Sequence, residues 1–224
     1  ASNGDEGFHF NGAGYTIANS TAYKNAKNGF RIEGSSNANV SGNSAYNNTF
    51  DGFFLDYYNN VNMTGNNASN NTRNGIQLLR SDGSGLYHNR LYNNGKDVLM
   101  NGTSEMRFNM TGTLFLNPAG TLQNYSNIST VEEFDGDESY YINWTTNSTA
   151  TPYMSFAQKF VEIKTISGDT SIDQISWNWA ESEISAYEEM NFELYKYNAS
   201  GWTSINATPD TSANTLSMYN MVPG

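Results

Sequence analysis

The stretch NNTFDGFFLDYYNNVNMTGN, residues 47–66, is followed by NNTRNGIQLLRSDGSGLYHN, residues 70–89, and preceded by YKNAKNGFRIEGSSNANVSGN, residues 23–43. Aligned on Gly7, Gly29, Gly52, Gly75 and Val98, the copies step by 22, 23, 23 and 23 residues. A fixed period in this range marks a repeat architecture. Four residues before each anchor stands an asparagine: Asn3, Asn25, Asn48, Asn71 and Asn94. After each anchor the chain alternates, with Phe8, Phe30, Phe53, Ile76 and Leu99 followed two places on by Phe10, Ile32, Leu55 and Leu78. A second segment centres on Ile17, Val40, Met63 and Leu86, and a third on Ala22, Ala45, Ala68 and Leu91.

Alternation at period two signals strands, and no copy carries a useful helical stripe. A helix-free repeat too short to bury its own apolar face must stack on its neighbours. The arrangement this predicts is a parallel β-helix of about five coils, each rising one strand spacing of about 4.8 Å. Like positions then lie above one another. Large apolar side chains fill the lumen, and Asn3, Asn25, Asn48, Asn71 and Asn94 form an internal ladder at a tight turn. Asparagine suits that turn because it tolerates left-handed backbone and its amide bonds up and down a stack.

Charge divides the chain. Residues 1–117 hold eight basic and eight acidic side chains; residues 118–224 hold Lys159, Lys164 and Lys196 against fourteen acids, which is the whole net charge of −11. The repeat fades at the same place, so a domain boundary is expected near Asn117, with a β-helix over 1–117 and an acidic domain over 118–224. Short strand-like runs such as SYYINWT, DQISWNWA and NFELYKYN predict an antiparallel β-sandwich in that second part. Its acidity argues against nucleic acid as a partner. No run of about 18 apolar residues predicts a membrane span. The chain has no cysteine, which excludes disulfides and thiolate metal sites.

Two resemblances follow from these residues. The pattern N-N-x-x-x-G-[FI]-x-[IL], then [VM]-[ST]-G-N, resembles the NosD/CASH group of right-handed parallel β-helix repeats. That group covers sugar lyases, epimerases, hydrolases and purely structural surface proteins. The stretch FELYKYNASGWTSINATPDTSANTLSMYNMVPG is similar to the end of the PGF-pre-PGF domain of archaeal surface proteins, with a likeness spanning about 155–224. It departs by stopping at Val222-Pro223-Gly224, where that domain has one more strand. Ala1 likewise falls in mid-coil. The resemblances imply an archaeal cell-surface protein; the cut ends are those either of a fragment or of a processed subunit whose open ends are completed by neighbouring copies, head to tail.

The sequon N-x-[ST] occurs at Asn19, Asn39, Asn47, Asn62, Asn67, Asn70, Asn101, Asn109, Asn124, Asn127, Asn143, Asn147, Asn198 and Asn206, where chance predicts roughly 7. In NVS and NMT, Val40 and Met63 point inward, so alternation throws Asn39 and Asn62 outward. Glycosylation of many of these sites is expected, which places the chain outside the cell.

Candidate chemistry is sparse. One outward column reads His9, Arg31, Phe54, Gln77 and the next Asn11, Glu33, Asp56, Leu79. His9, Arg31, Glu33 and Asp56 therefore make a candidate carbohydrate face. Paired carboxylates there suit acid–base work or calcium, although Arg31 can equally pair with Glu33. The acidic run EEFDGDE, with Asp135, Asp137 and Glu138, is a weak Ca²⁺ candidate without EF-hand spacing; a solvated loop explains it as well. Trp177 and Trp179 share one sheet face, as core or as a sugar platform. No nucleophile triad, P-loop or GxGxxG is present, and no cofactor is expected.

The sequence thus predicts a non-enzymatic, glycosylated, extracellular structural subunit that assembles with copies of itself into a filament, sheath or surface layer. The first alternative is a carbohydrate-binding adhesion module. The second is a lyase- or epimerase-like enzyme acting on polysaccharide.

Overall fold

The computed structural model describes residues 2, 4–34, 37–57, 60–118, 125–145 and 159–224; Asn3, Asn124 and Asn147 lie outside the described residues. The chain is all-β, a right-handed β-helix of about five coils continued by antiparallel strands. The first coil holds β1 (Phe8–Asn11), β2 (Thr16–Ala18) and β3 (Thr21–Tyr23). The second holds β4 (Phe30–Glu33), β5 (Asn39–Ser41) and β6 (Ser44–Tyr46), and the third β7 (Phe53–Asp56), β8 (Asn62–Thr64) and β9 (Asn67–Ser69). The fourth holds β10 (Asn74–Leu79), β11 (Ser84–Tyr87) and β12 (Arg90–Tyr92). The fifth holds β13 (Lys96–Gly102) and one long strand, β14 (Arg107–Leu116), which pairs in parallel with both β11 and β12.

Successive coils pair in register, Phe8 with Phe30, Phe30 with Phe53 and Phe53 with Ile76. The inward columns are the expected ones and are buried throughout the middle coils: Phe30, Phe53 and Ile76; Ile32, Leu55 and Leu78; Val40, Met63 and Leu86. The rings of Phe8, Phe30 and Phe53 stack 4.9 Å apart from coil to coil. Burying each such side chain contributes about 1.5–3 kcal/mol, which is how a short repeat becomes stable only as a stack. The alanine column widens at its end, from Ala68 to Leu91 to Phe115.

The sharp corners are single residues in left-handed backbone, at Asn19, Gly42, Gly65, His88 and Gly112 in one column and at Lys24, Asn47, Asn70 and Asn93 in another. His88 occupies the first of these columns, one coil on from Gly65.

The fifth coil departs from the expected register. Ile76 pairs with Val98, not Leu99, so the residue opposite Gly75 is Asp97 and the last step is 22 residues. Val98 and Met100 face the core, while Leu99 lies against Tyr141 on the next strand of the outer face. The turn after Asn94 is one residue shorter than its predecessors; a four-residue spacing there would have turned the polar Asp97 side of the strand inward.

Past Asn117 the pairing changes direction but the sheets do not break. β15 (Tyr125–Glu133) runs antiparallel to β14, and β16 (Glu138–Trp144) antiparallel to β13. β17 (Val161–Ser167) then joins β16, while β18 (Ile172–Asn178) joins β15 and is followed at the sheet edge by β21 (Thr215–Met221). The two sheets of the solenoid thus become the two layers of a sandwich. One apolar cluster runs from Ile17 through Phe115 and Tyr140 to Met221. The hairpin β19 (Leu194–Asn198) and β20 (Gly201–Asn206) adds a satellite core of Leu194, Trp179 and Leu216.

Candidate functional site

Polar stacks run from coil to coil beside the apolar columns. Asn25 Nδ2 donates to Asn48 Oδ1 at 2.7 Å, Asn48 to Asn71 at 2.9 Å and Asn71 to Asn94 at 2.9 Å. A second ladder, not anticipated, runs through Asn43, Asn66 and Asn89, all fully buried, with Nδ2–Oδ1 distances of 3.1 Å. Its signal was the final asparagine of the [VM]-[ST]-G-N pattern. A third stack alternates acid and amide: Glu6 accepts from Asn28, and Asn28 and Asp51 each accept from the backbone N–H one coil on, at Asp51 and Asn74.

Register brings part of the His9, Arg31, Glu33, Asp56 face together. His9 Nε2 lies 2.9 Å from Glu33 Oε2, and Arg31 Nε donates to Glu33 Oε1 at 2.7 Å. Arg31 also reaches Glu6 and lies over the Phe54 ring. The bond from Arg31 holds the Glu33 carboxyl below the usual range, helped by His9. Asp56 is the register neighbour of Glu33 but pairs with Arg80 at 3.0 Å, whose guanidinium also meets the Tyr57 ring. The two carboxylates are therefore taken up by separate cations.

The acidic run divides in the same way. Asp135 and Asp137 are exposed, whereas Glu138 is buried, which pushes its carboxyl above the usual range, with the charge of Asp135 adding to the effect. Among the described residues no three His, Cys, Asp or Glu side chains converge as a metal ion would need. The group that sequence reading missed is Glu132. It is 1% exposed, accepts from Tyr140 Oη at 3.3 Å, and has no partner for Oε1. Burial, and then the charge of Asp173, pushes its pKa up to about 8.

Trp177 and Trp179 are core rather than platform. Trp179 packs edge-on to Phe192 at 5.1 Å and donates to Glu189 at 2.7 Å, and Trp177 is half-buried against both apolar clusters.

None of the twelve described sequon asparagines is buried. Asn19, Asn39, Asn47, Asn62, Asn70, Asn109 and Asn198 are exposed; Asn67, Asn101, Asn127, Asn143 and Asn206 are partly so. Asn39 and Asn62 share one outward column, which continues through Gly85 to Asn109. Beside Asn109 the outer face dips into a depression of about 390 Å³.

Residues 2–133, more than half of the chain, match the family model described as the right handed beta helix region. The chain belongs to the right-handed β-helix family. No curated protein and no solved structure matches it. The right-handed β-helix is found in pectate lyase-like enzymes and in non-enzymes alike, so membership leaves the activity open. In this member of the family the match runs past the last parallel strand into β15. No helix among the described residues is long and apolar enough to cross a membrane.

Proposed function

We propose that this β-helix protein is a non-enzymatic, N-glycosylated structural module of an extracellular, archaeal cell surface. The observation that carries this reading is the solvent access of every described sequon asparagine, in a chain with twice the sequons chance predicts. Buried asparagines, by contrast, are spent on the ladders and none of them opens a sequon. The likeness of the last third to the PGF-pre-PGF domain, and of the repeats to the NosD/CASH type, supports the same placement. The ion pairs that occupy Glu33 and Asp56 favour a structural face over a catalytic one.

In this reading copies associate through the edges of the continued sheets, where Ile166 on β17 and Tyr219 on β21 are at least half exposed. Intact-mass and glycopeptide analysis of material from its own source tests the core of the proposal. Saccharide mass at several of these asparagines is expected; the bare polypeptide mass would overturn it. Electron microscopy of the same native material tests assembly: ordered polymers are expected, and dispersed monomers would remove self-association from the reading.

A further inference from the structure

Six strands carry one row across the outer face of the larger sheet: Asn62, Gly85, Asn109, Val131, Gln174 and Tyr219 pair in that order. The row holds two sequon asparagines with a glycine between them. At Gly85 the repeat gives up its sequon, and the Tyr87 ring lies across the vacated place; a Cβ there would meet the ring at 2.5 Å. Tyr87 itself stands in register between the sequon threonines Thr64 and Thr111. On the other side of Asn109, Val131 is an apolar side chain 49% exposed. Between them lies the depression, lined also by Thr111, Ser129, Ser176 and Gln174. No charged side chain lines it, although the chain carries −11 overall.

An uncharged hollow edged by an aryl ring, a branched alkyl group, amides and hydroxyls has the chemistry of a neutral-sugar site. A pyranose presents C–H faces to the ring and the valine, and hydroxyls to the amides and hydroxyls of the lining. We infer that the depression is the bed of the saccharide attached at Asn109, whose first sugar lies between Tyr87 and Val131 and bonds toward Gln174. Attachment replaces one Nδ2–H of Asn109 by a bond to the anomeric carbon of a glycosyl pyrophosphate-type donor. The proton is released and the pyrophosphate-linked carrier departs with the bonding electrons. The seated sugar then covers Val131 and stiffens the junction where parallel pairing becomes antiparallel. This inference rests on the glycosylation reading above.

The test uses native glycosylated protein alongside the same chain made without a glycosylation system. Glycopeptide mapping is expected to find Asn109 occupied. In the glycosylated protein, Tyr87→Ala and Asn109→Gln should each lower the melting temperature by about 2–4 °C, and the double variant should fall no further. Tyr87→Phe should keep the native value. In the sugar-free chain Tyr87→Ala should shift melting by less than in the glycosylated one. A bare Asn109 beside occupied sequons elsewhere overturns the bed and leaves the glycosylation reading standing; sugar nowhere overturns both. Additive losses from Tyr87→Ala and Asn109→Gln, or equal losses with and without sugar, show an unseated glycan and overturn the bed alone.

Discussion

Asn66 Nδ2 donates to Asn89 Oδ1 at 3.1 Å and to Val40 O at 2.9 Å, while Asn66 Oδ1 accepts both the backbone N–H and the Nδ2 of Asn43. One fully buried side chain thus ties three coils. Replacing it removes partners from groups that water cannot reach, and each orphaned group costs about 1–3 kcal/mol. Asn66→Ala is expected to destabilise the chain by about 3 kcal/mol or more in urea unfolding. The control is Asn47→Ala at an exposed corner, where a change of about 1 kcal/mol or less is expected from the left-handed backbone alone. Equal losses at the two sites would mean that the ladder does not hold the coils.

The glycines that open each coil face a different constraint. A Cβ on Gly52 would lie 2.7 Å from Gly75 O and 2.8 Å from Asn71 Nδ2. Both neighbours are fixed, one by the sheet and the other by the ladder, so neither can give way. Gly52→Ala should cost about 2–4 kcal/mol through displaced ladder bonds. Gly4→Ala, with open space around it, should be near neutral. A mild Gly52 variant with unchanged amide exchange at Asn71 would contradict this packing.

The solenoid was legible because its determinants repeat. Phe30 and Phe53, or Asn48 and Asn71, occupy identical surroundings one coil apart, so one alignment exposes both the lumen and the first ladder. Asn43 and Asn66 were visible in the pattern, but a three-residue strand on either side gives too little alternation to tell an inward corner from an outward one. The Asp97 register slipped because a shortened turn changes the count by one without changing the alternating texture of Val98, Leu99 and Met100. Beyond Asn117 the strands were readable and their partners were not, since antiparallel neighbours such as Tyr140 and Met100 come together without any repeat. Glu132 was hidden for the same reason: its burial arises from Tyr140 and from strands far along the chain.

That burial makes a pH dependence. Glu132 has an ordinary value of 4.5 and a folded value of about 8. Between these limits the unfolded chain has given up its proton while the folded chain keeps it, so raising the pH favours unfolding. The stabilisation is complete below 4.5 and is lost progressively up to about 8, amounting to about 3–5 kcal/mol. Glu132→Gln cannot ionise, and it should make the fall of the melting temperature over this window shallower, leaving the part due to the buried Asp97 carboxyl, which burial pushes up to about 6. The variant should gain stability over the parent at pH 8 and match it closely near pH 4.5. A parent whose stability rises between these values would show that Glu132 is ionised in the fold.

Sugar occupancy should follow what each amide nitrogen already does. Asn206 Nδ2 donates to Ser217 O at 2.6 Å, and that bond pins the β20 hairpin to β21. Asn143 Nδ2 donates to Gly95 O while its Oδ1 accepts the Asp97 N–H, closing the shortened turn of the fifth coil. A sugar takes one of the two Nδ2 hydrogens and crowds the bond made by the other, so attachment at either nitrogen strains a structural bond worth about 1 kcal/mol. Asn39, Asn62 and Asn198 are exposed and can carry sugar without such strain. Under the glycosylation proposal, glycopeptide mapping is expected to find these three occupied and Asn143 and Asn206 bare. Asn206→Gln should then leave the mass of the attached sugar unchanged while loosening the hairpin, read as faster amide exchange across β19 and β20. Full occupancy at Asn206 with unaltered exchange there would show that transfer precedes folding and that the Ser217 bond is dispensable.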